Sequence, residues 1–514
     1  WTFDYYASGD LHRQTDGRGW QLRYLHDRLG RVMQEHEQRA GQTERLLHAW
    51  TYDLNGKGLP ARAERTDASG NLVYRQTFAY DPLRRPKEEL VHIWEKQNPD
   101  HGWHAVHNPW LINREFRRYL SYHAQAGWLK QEHRGPAGQA VHESTLGAMG
   151  TYQRRDRFGY VIDEGTTRDL FENRFGRMIT QIDAWGMPTQ VFLGNGPAGV
   201  GLAEHTTTHP VTGQMTRRCV GASQVNCSIV ELTYQYDRWG NLGQQQQRVG
   251  SLVVAEDYLY DELHRLTQAT RSGTASGTVS YAYDAAGGFR YKSDVSAVQP
   301  NAFGYQAGTH RLVSLAGPVN GSTPASFEYD GNGNQTRVVH NGSGLQPRQV
   351  SYDAHNRPER IAYITGGPTF NDEHADFRYG PSGDRYLQRY RKGNAAHSLT
   401  LYPFPGYELT ATANLNLPGA TFDGARQTLG GWGLRQFRLG MLPRTVWLHT
   451  DRLGSPVAKT LTDGGVVVHA VGNLEERHGF DAFGKPRDGA WRDQTPGQST
   501  SAPGTLGRLN SAVT

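Results

Sequence analysis

Four short stretches of the 514-residue sequence hold residue types that could do chemistry. Gly194-Asn195-Gly196-Pro197-Ala198-Gly199 spells the glycine pattern of a dinucleotide loop, in which bare backbone lets a pyrophosphate approach a helix N-terminus. Pro197 suits that helix start poorly and no βαβ pattern surrounds it, so the stretch reads as a loop and no cofactor is expected. Glu204-His205 and His209 offer metal ligands at a four-residue spacing, which would share one helix face. Thr206, Thr207 and Thr208 are β-branched and Pro210 follows, so that helix is not expected and no metal is assigned. Asp330-Gly331-Asn332-Gly333-Asn334 has the alternating oxygen ligands of a calcium loop, but its twelfth position is Asn341, where such a loop needs a bidentate Glu. Cys219 and Cys227 lie eight positions apart in a Gly, Ser and Asn-rich segment that must loop between strands. A local disulfide there would point to an oxidising compartment; two unpaired thiols in a cytosolic protein is the competing reading.

What must position these residues is a repeat. An aromatic is followed by Asp, two variable residues, Gly, then Arg or Asn. Tyr236-Asp237-Arg238-Trp239-Gly240-Asn241 and Tyr329-Asp330-Gly331-Asn332-Gly333-Asn334 are complete copies. Looser copies start at Tyr52-Asp53, Tyr80-Asp81, Tyr260-Asp261, Tyr283-Asp284, Tyr352-Asp353 and Phe480-Asp481. The central Asp positions, 237, 261, 284, 330 and 353, are separated by 24, 23, 46 and 23 residues, and a degenerate copy at Tyr305-Gln306-Ala307-Gly308 fills the double step. Asp at the first position and Gly at the fourth is the preferred occupancy of a type I turn, with the carboxylate accepting backbone N–H bonds. The residues before each turn alternate, as in Leu232, Tyr234, Tyr236 and Val279, Tyr281, Tyr283, which places them on one face of a strand. Each step accommodates two strands of about seven to nine residues and two turns, one hairpin per repeat. The Tyr and Asp residues are expected to be cross-strand packers and turn formers, so that alanine at Asp237 or Asp330 costs stability and abolishes no reaction.

Composition fits a thin, extended sheet. Apolar residues make up 36% and the mean hydropathy is -0.69, too little for a thick two-layer core, yet 11% aromatics with 26 Tyr is too much for disorder. Sixty-one Gly without a triplet period imply many turns. The net charge of +5, from 55 basic and 50 acidic residues without a long basic run, gives no reason to expect nucleic acid. No apolar stretch approaches the roughly 18 to 20 residues of a membrane helix, so no membrane span is expected. Trp1 starts in mid-strand, which reads as a fragment or a processed chain.

With this unit the chain resembles the YD-repeat proteins of the Rhs (rearrangement hotspot) family, whose relatives include toxin-complex C components and teneurins. The most specific stretch is His449-Thr450-Asp451-Arg452-Leu453-Gly454-Ser455-Pro456, similar to the opening of the Rhs-associated core, followed by Thr462-Asp463-Gly464-Gly465 and Phe480-Asp481-Ala482-Phe483-Gly484-Lys485-Pro486. The resemblance implies a bacterial protein, secreted or at the cell surface, whose hollow shell encloses a C-terminal toxin or effector cargo and which works with a secretion-system or toxin-complex partner. The alternative it allows is a teneurin-like adhesion or carbohydrate-binding scaffold that meets a glycan or cell-surface receptor. In many members the core is also an aspartyl autoprotease. This sequence has no Asp-Pro-x-Gly-Leu type cleavage motif, so no catalytic residue is carried over and the chain is not expected to be an enzyme; an autoprotease would have its catalytic part outside it.

The expected architecture is all-β: one continuous, spiralling antiparallel sheet of hairpin repeats forming a large hollow shell or barrel. Residues 1–440 would form the repeat shell, with a divergent insert at about 92–150, 441–490 the start of the core, and 491–514 a tail rich in Pro, Gly, Ser and Thr. Helix should stay under about 10%, most of it in the insert.

Overall fold

Strand follows strand throughout a computed structural model of the chain. It describes residues 1–96, 111–137, 149–166, 176–194, 201–222, 226–317, 324–340, 347–363, 373–392, 396–412, 422–441, 443–462, 473–477, 479–484 and 486–487. These residues form 39 strands and no helix. Twenty-two strands between Thr2 and Lys292 make a first sheet, fifteen between Phe303 and Arg477 a second, and Gly479–Phe480 with Pro486–Arg487 a small ribbon. Neighbours in sequence pair antiparallel, as Leu252–Tyr260 does with Leu266–Gly273 and Glu373–Tyr379 with Arg385–Lys392. Each Tyr-Asp turn brings a register shift at the Tyr, for example between Leu259 and Tyr260.

Two expectations need correction. The sheet is not one continuous ladder. It breaks between Phe289–Lys292 and Phe303–Tyr305, where the intervening loop contains Pro300, which has no N–H to donate. Ala302 carries the connection, donating its N–H to Arg290 (2.8 Å) and accepting from Ala316 (2.8 Å). Nor do the described residues of the insert supply helix. Pro86–Lys96, Leu111–Tyr122, Leu129–Pro136 and Met149–Arg155 are strands, because Val91 and Ile93, then Phe116 and Leu120, alternate onto a buried face. Neither large sheet pairs its first strand with its last among the described residues, so these residues do not themselves close a barrel.

Because successive strands are antiparallel, their turns fall alternately on two rims. All Tyr-Asp turns share one rim. The second sheet lies over the first along a seam and follows it in the same order: Gly17 meets Gly331, Glu35 meets His355, Arg65 meets Tyr379, Tyr74 meets Tyr386 and Arg218 meets Thr450, and the ribbon continues the line where Arg487 meets Glu256. At the first crossing a Cβ on either glycine would strike the other's carbonyl oxygen, so only glycine permits it. Apolar clusters fill parts of the seam, one joining Val91, Ile93 and Phe116 to Leu401, Tyr407 and Phe437, another joining Leu232 and Val254 to Trp447 and Val457.

Candidate functional site: the repeat turns and the seam

The motif Asp closes each hairpin. Asp261 accepts the N–H groups of Leu263 (3.0 Å) and Arg265 (2.8 Å) on Oδ1, while Oδ2 accepts Arg265 Nε (2.7 Å). The same closure recurs at Asp237, Asp284, Asp330, Asp353 and Asp451, and Asp481 accepts the N–H of Phe483. These bonds hold the carboxyls of Asp237 and Asp261 below the usual range, chiefly through the Asn241 side chain in the first and the Arg265 N–H in the second. Gly240, Gly333, Gly454 and Gly484 are left-handed, with φ between 84° and 89°. His264 and Asn356 adopt that conformation without being glycine.

The tyrosine before each Asp has a role that sequence reasoning missed. Its hydroxyl donates to the carbonyl that opens the return strand of the preceding hairpin: Tyr236 to Met215 (2.9 Å), Tyr260 to Leu242 (2.9 Å), Tyr283 to Leu266 (2.7 Å), Tyr329 to Leu312 (2.8 Å) and Tyr352 to Gln335 (2.9 Å). Tyr305, in the degenerate copy, spans the break between the sheets by the same bond to Phe289 (3.0 Å). The motif Arg completes the link. Arg265, held by Asp261, lies over the ring of Tyr283 at 4.9 Å; Arg357, held by Asp353, lies over Tyr379 at 4.5 Å. The available signal was the preference for Tyr over Phe before Asp, since packing alone does not need the hydroxyl.

At the seam Glu35, His48 and His355 converge, a group absent from the sequence reading. Glu35 accepts His48 Nδ1 (2.6 Å) on one oxygen and His355 Nε2 (2.9 Å) on the other. Their ligand atoms lie within 4.8 Å of one another, close enough to consider a metal ion. The surroundings do not fit one. Arg65 Nη1 faces His48 Nε2 at 3.5 Å and Arg357 Nη2 faces His355 Nδ1 at 3.3 Å. Each ring therefore accepts from an arginine on one nitrogen and donates to Glu35 with the other; turning either toward a cation would set N–H against N–H beside two guanidinium charges. Burial alone would raise the Glu35 carboxyl, but the bonds from His355 and His48 outweigh it and hold it low. Burial pushes His48 down to about 4, and His449 also to about 4.

The residues of the core opening sit in the same seam. His449 is fully buried and meets Thr460 Oγ1 at 2.9 Å, Arg218 reaches the Thr450 carbonyl at 2.8 Å, and Arg452 donates its N–H to Tyr234. Ser455 closes the Asp451 turn and Pro456 stands opposite Thr450. Asp481 pairs with Lys292 at 2.9 Å, and Phe483 packs against Tyr281 and Phe289. Thr462 is described, but Asp463, Gly464, Gly465 and Lys485 lie outside the described residues, as do Asn195 to Gly199 and the tail 491–514. Glu204 and His205 are consecutive in a strand and His209 accepts two N–H groups in the next turn, so the three do not form a ligand set. Cys219 and Cys227 are disulfide-bonded and buried, with a Cα separation of 4.9 Å.

Two outcomes follow from this geometry. Tyr260→Phe removes one link between hairpins and should cost about 1 kcal/mol, and Asp353→Ala about 1 to 2 kcal/mol, read as faster amide exchange in the adjoining hairpins; unchanged exchange would count against the assigned roles. His48 has its pKa depressed by folding, so its contribution is complete above about 6.5 and is lost as pH falls toward about 4; Glu35, also depressed, loses its share below its ordinary range. The melting temperature should therefore drop between pH 6.5 and 4, and drop less in His48→Gln, whose amide keeps one donor and one acceptor. Equal pH profiles for the two proteins would refute this.

No family model matches the sequence, and no curated protein matches it. Solved structures do match in fold. The crystal structures of TcdB2-TccC3 without its hypervariable C-terminal region, of TcdB2-TccC3, and of TcdB2-TccC3-Cdc42 superpose with TM-scores of 0.69, 0.62 and 0.58, at 14%, 14% and 13% identity. Each match covers 95% of this chain and 24% of the other, so the chain spans about a quarter of the length of the proteins it resembles. At such identities the likeness is one of fold: this chain is built as part of the toxin-complex β-sheet assembly is built.

Proposed function

We propose that the chain is a wall segment of a toxin-encapsulating shell, secreted by a bacterium, which encloses a C-terminal toxin or effector and protects it until delivery. The observation that carries this reading is the fold shared with TcdB2-TccC3, at a TM-score of 0.69 over 95% of the chain. The construction supports it. Consecutive hairpins tied by tyrosine hydroxyls make a sheet that can extend without a central core, and the second sheet reinforces the first along the seam. The wall has no catalytic duty on this reading: Asp451 and Asp481 serve turn closure and an ion pair. The disulfide accords with passage through an oxidising compartment. No helix among the described residues is long and apolar enough to cross a membrane.

A protease-sensitive reporter domain carried inside the closed shell that this wall segment would help to build tests the enclosing role. Its trypsin lifetime should be at least about tenfold longer than on an unrelated carrier, because cleavage would have to await opening of the wall. Equal lifetimes would contradict it.

A further inference from the structure

The two sulfurs of the Cys219–Cys227 disulfide sit in unlike electrostatic surroundings. Cys219 is fully buried in the strand Met215–Gly221, and Cys227 lies where the chain folds back on that strand, so close that a Cβ on Gly221 would overlap the Asn226 carbonyl. Arg217 donates from Nη2 to Cys227 Sγ at 2.9 Å. The same guanidinium bonds Glu231 through Nε (3.1 Å) and Nη2 (2.7 Å), but Glu231 also accepts from Arg248 (2.7 Å). Two cations thus share one carboxylate, and positive charge is left over beside the Cys227 sulfur. Cys219 stands in register with Glu231 on one side and His205 on the other. A carboxylate beside a sulfur opposes a thiolate, whereas a guanidinium bonded to a sulfur stabilises one.

We propose that Cys227 is a redox-active thiol site: reduction by a thiol places the negative charge on Cys227, under Arg217, and loosens the hairpin that grips the core opening. The electrons come from two equivalents of a low-molecular-weight thiol. The first thiolate forms a mixed disulfide with one sulfur as the Sγ–Sγ bond breaks, and the second displaces that sulfur, so the two thiols leave as one disulfide. The protein gains two electrons; of the two thiol protons one goes to Cys219 and the other to solvent. A stabilised thiolate stabilises the reduced form, so Arg217 makes this bridge easier to reduce than burial alone would allow.

The consequence reaches the second sheet. Arg218, next to Cys219, bonds the Thr450 carbonyl and hydroxyl at 2.8 Å each. Tyr234, on the strand paired with Met215–Gly221, accepts the Arg452 N–H at 3.2 Å. Val220, Ile229 and Val230, at the stapled end of the same hairpin, belong to the apolar cluster that contains Trp447 and Val457. Closing the bridge restricts the opening of that end, and breaking it restores the freedom to open. A chain folded where disulfides form would therefore loosen its hold on the core opening in a thiol-rich compartment. This follows from the chain by itself, whether or not it encloses a cargo.

Redox titration of the folded chain tests this. Equilibrated with mixtures of reduced and oxidised dithiothreitol, quenched in acid and alkylated after unfolding, the chain should lose the bridge while its circular dichroism stays unchanged. Arg217→Gln should shift that equilibrium about tenfold toward the disulfide, one unit of thiol pKa being one decade. In Cys219→Ala the remaining thiol should ionise below the ordinary value of about 8.5, read from the ultraviolet absorbance of the thiolate, and Cys219→Ala/Arg217→Gln should return it to that value or above. Hydrogen exchange reads the reach of the site. Amides of Met215–Gly221, Val230–Tyr236, Arg444–Thr450 and Pro456–Thr462 should exchange roughly 10- to 100-fold faster after reduction. The same increase should appear in Cys219→Ala/Cys227→Ala without reductant, and the distant hairpin of Pro324–Tyr329 and Gln335–His340 should not change. A bridge reduced only as the chain unfolds, or a Cys227 pKa that Arg217→Gln leaves in place, overturns the thiol site. Unchanged exchange in Arg444–Thr450 and Pro456–Thr462 overturns its link to the second sheet.

Discussion

A hydrogen bond from a tyrosine hydroxyl to a backbone carbonyl one hairpin away is the interaction on which the rest of this structure depends. A two-stranded hairpin alone is marginal in water. The backbone bonds of the turn aspartate stabilise only the hairpin it belongs to. The phenol of Tyr260 or Tyr283, bonded to Leu242 or Leu266, adds a side-chain tie to the ladder between hairpins, and the arginine seated over the next tyrosine ties turn to turn. Asp261, Arg265 and Tyr283 thus form one unit with a donor, an acceptor and a π-face in sequence. The unit costs no core volume, which is why a chain with 36% apolar residues can build sheets of 22 and 15 strands.

The second constraint is electrostatic. Charges taken into the seam are matched: Glu37 by Arg45 and Arg39, Glu132 by Arg118 and Arg134, Glu256 by Arg487. Buried pairs of this kind repay little more than their desolvation, but a mismatched pair is expensive. The pairs that cross between the sheets, Arg39 with Glu359 and Glu35 with His355, specify which part of the second sheet sits on which part of the first. The ordered crossings run from Gly17 and Gly331 to Arg218 and Thr450, and Glu35 with its two histidines is the crossing where that matching also depends on pH.

The repeat was legible because turn chemistry is local: Asp237 to Gly240 needs only its own four residues to declare a turn, and Val279, Tyr281 and Tyr283 only their alternation. The strands at 86–155 were harder to read, since Leu111–Tyr122 passes to Leu129–Pro136 without a Tyr-Asp turn, His123 standing where the Asp would be. The break before Phe303 was hidden because the degenerate copy at Tyr305 keeps the period while the ladder lapses. The seam could not be read at all. Glu35 and His355 are 320 positions apart, and their meeting depends on how the second sheet lies over the first.

The central claim is that these sheets form a thin wall and not a solid body, and small-angle X-ray scattering from the dilute, monomeric chain tests it most directly. A filled globule of this length would have a radius of gyration of about 24 Å and a bell-shaped distance distribution. The wall predicts a radius clearly above that value and a distribution skewed to long distances. A radius near about 24 Å with a symmetric distribution would contradict it.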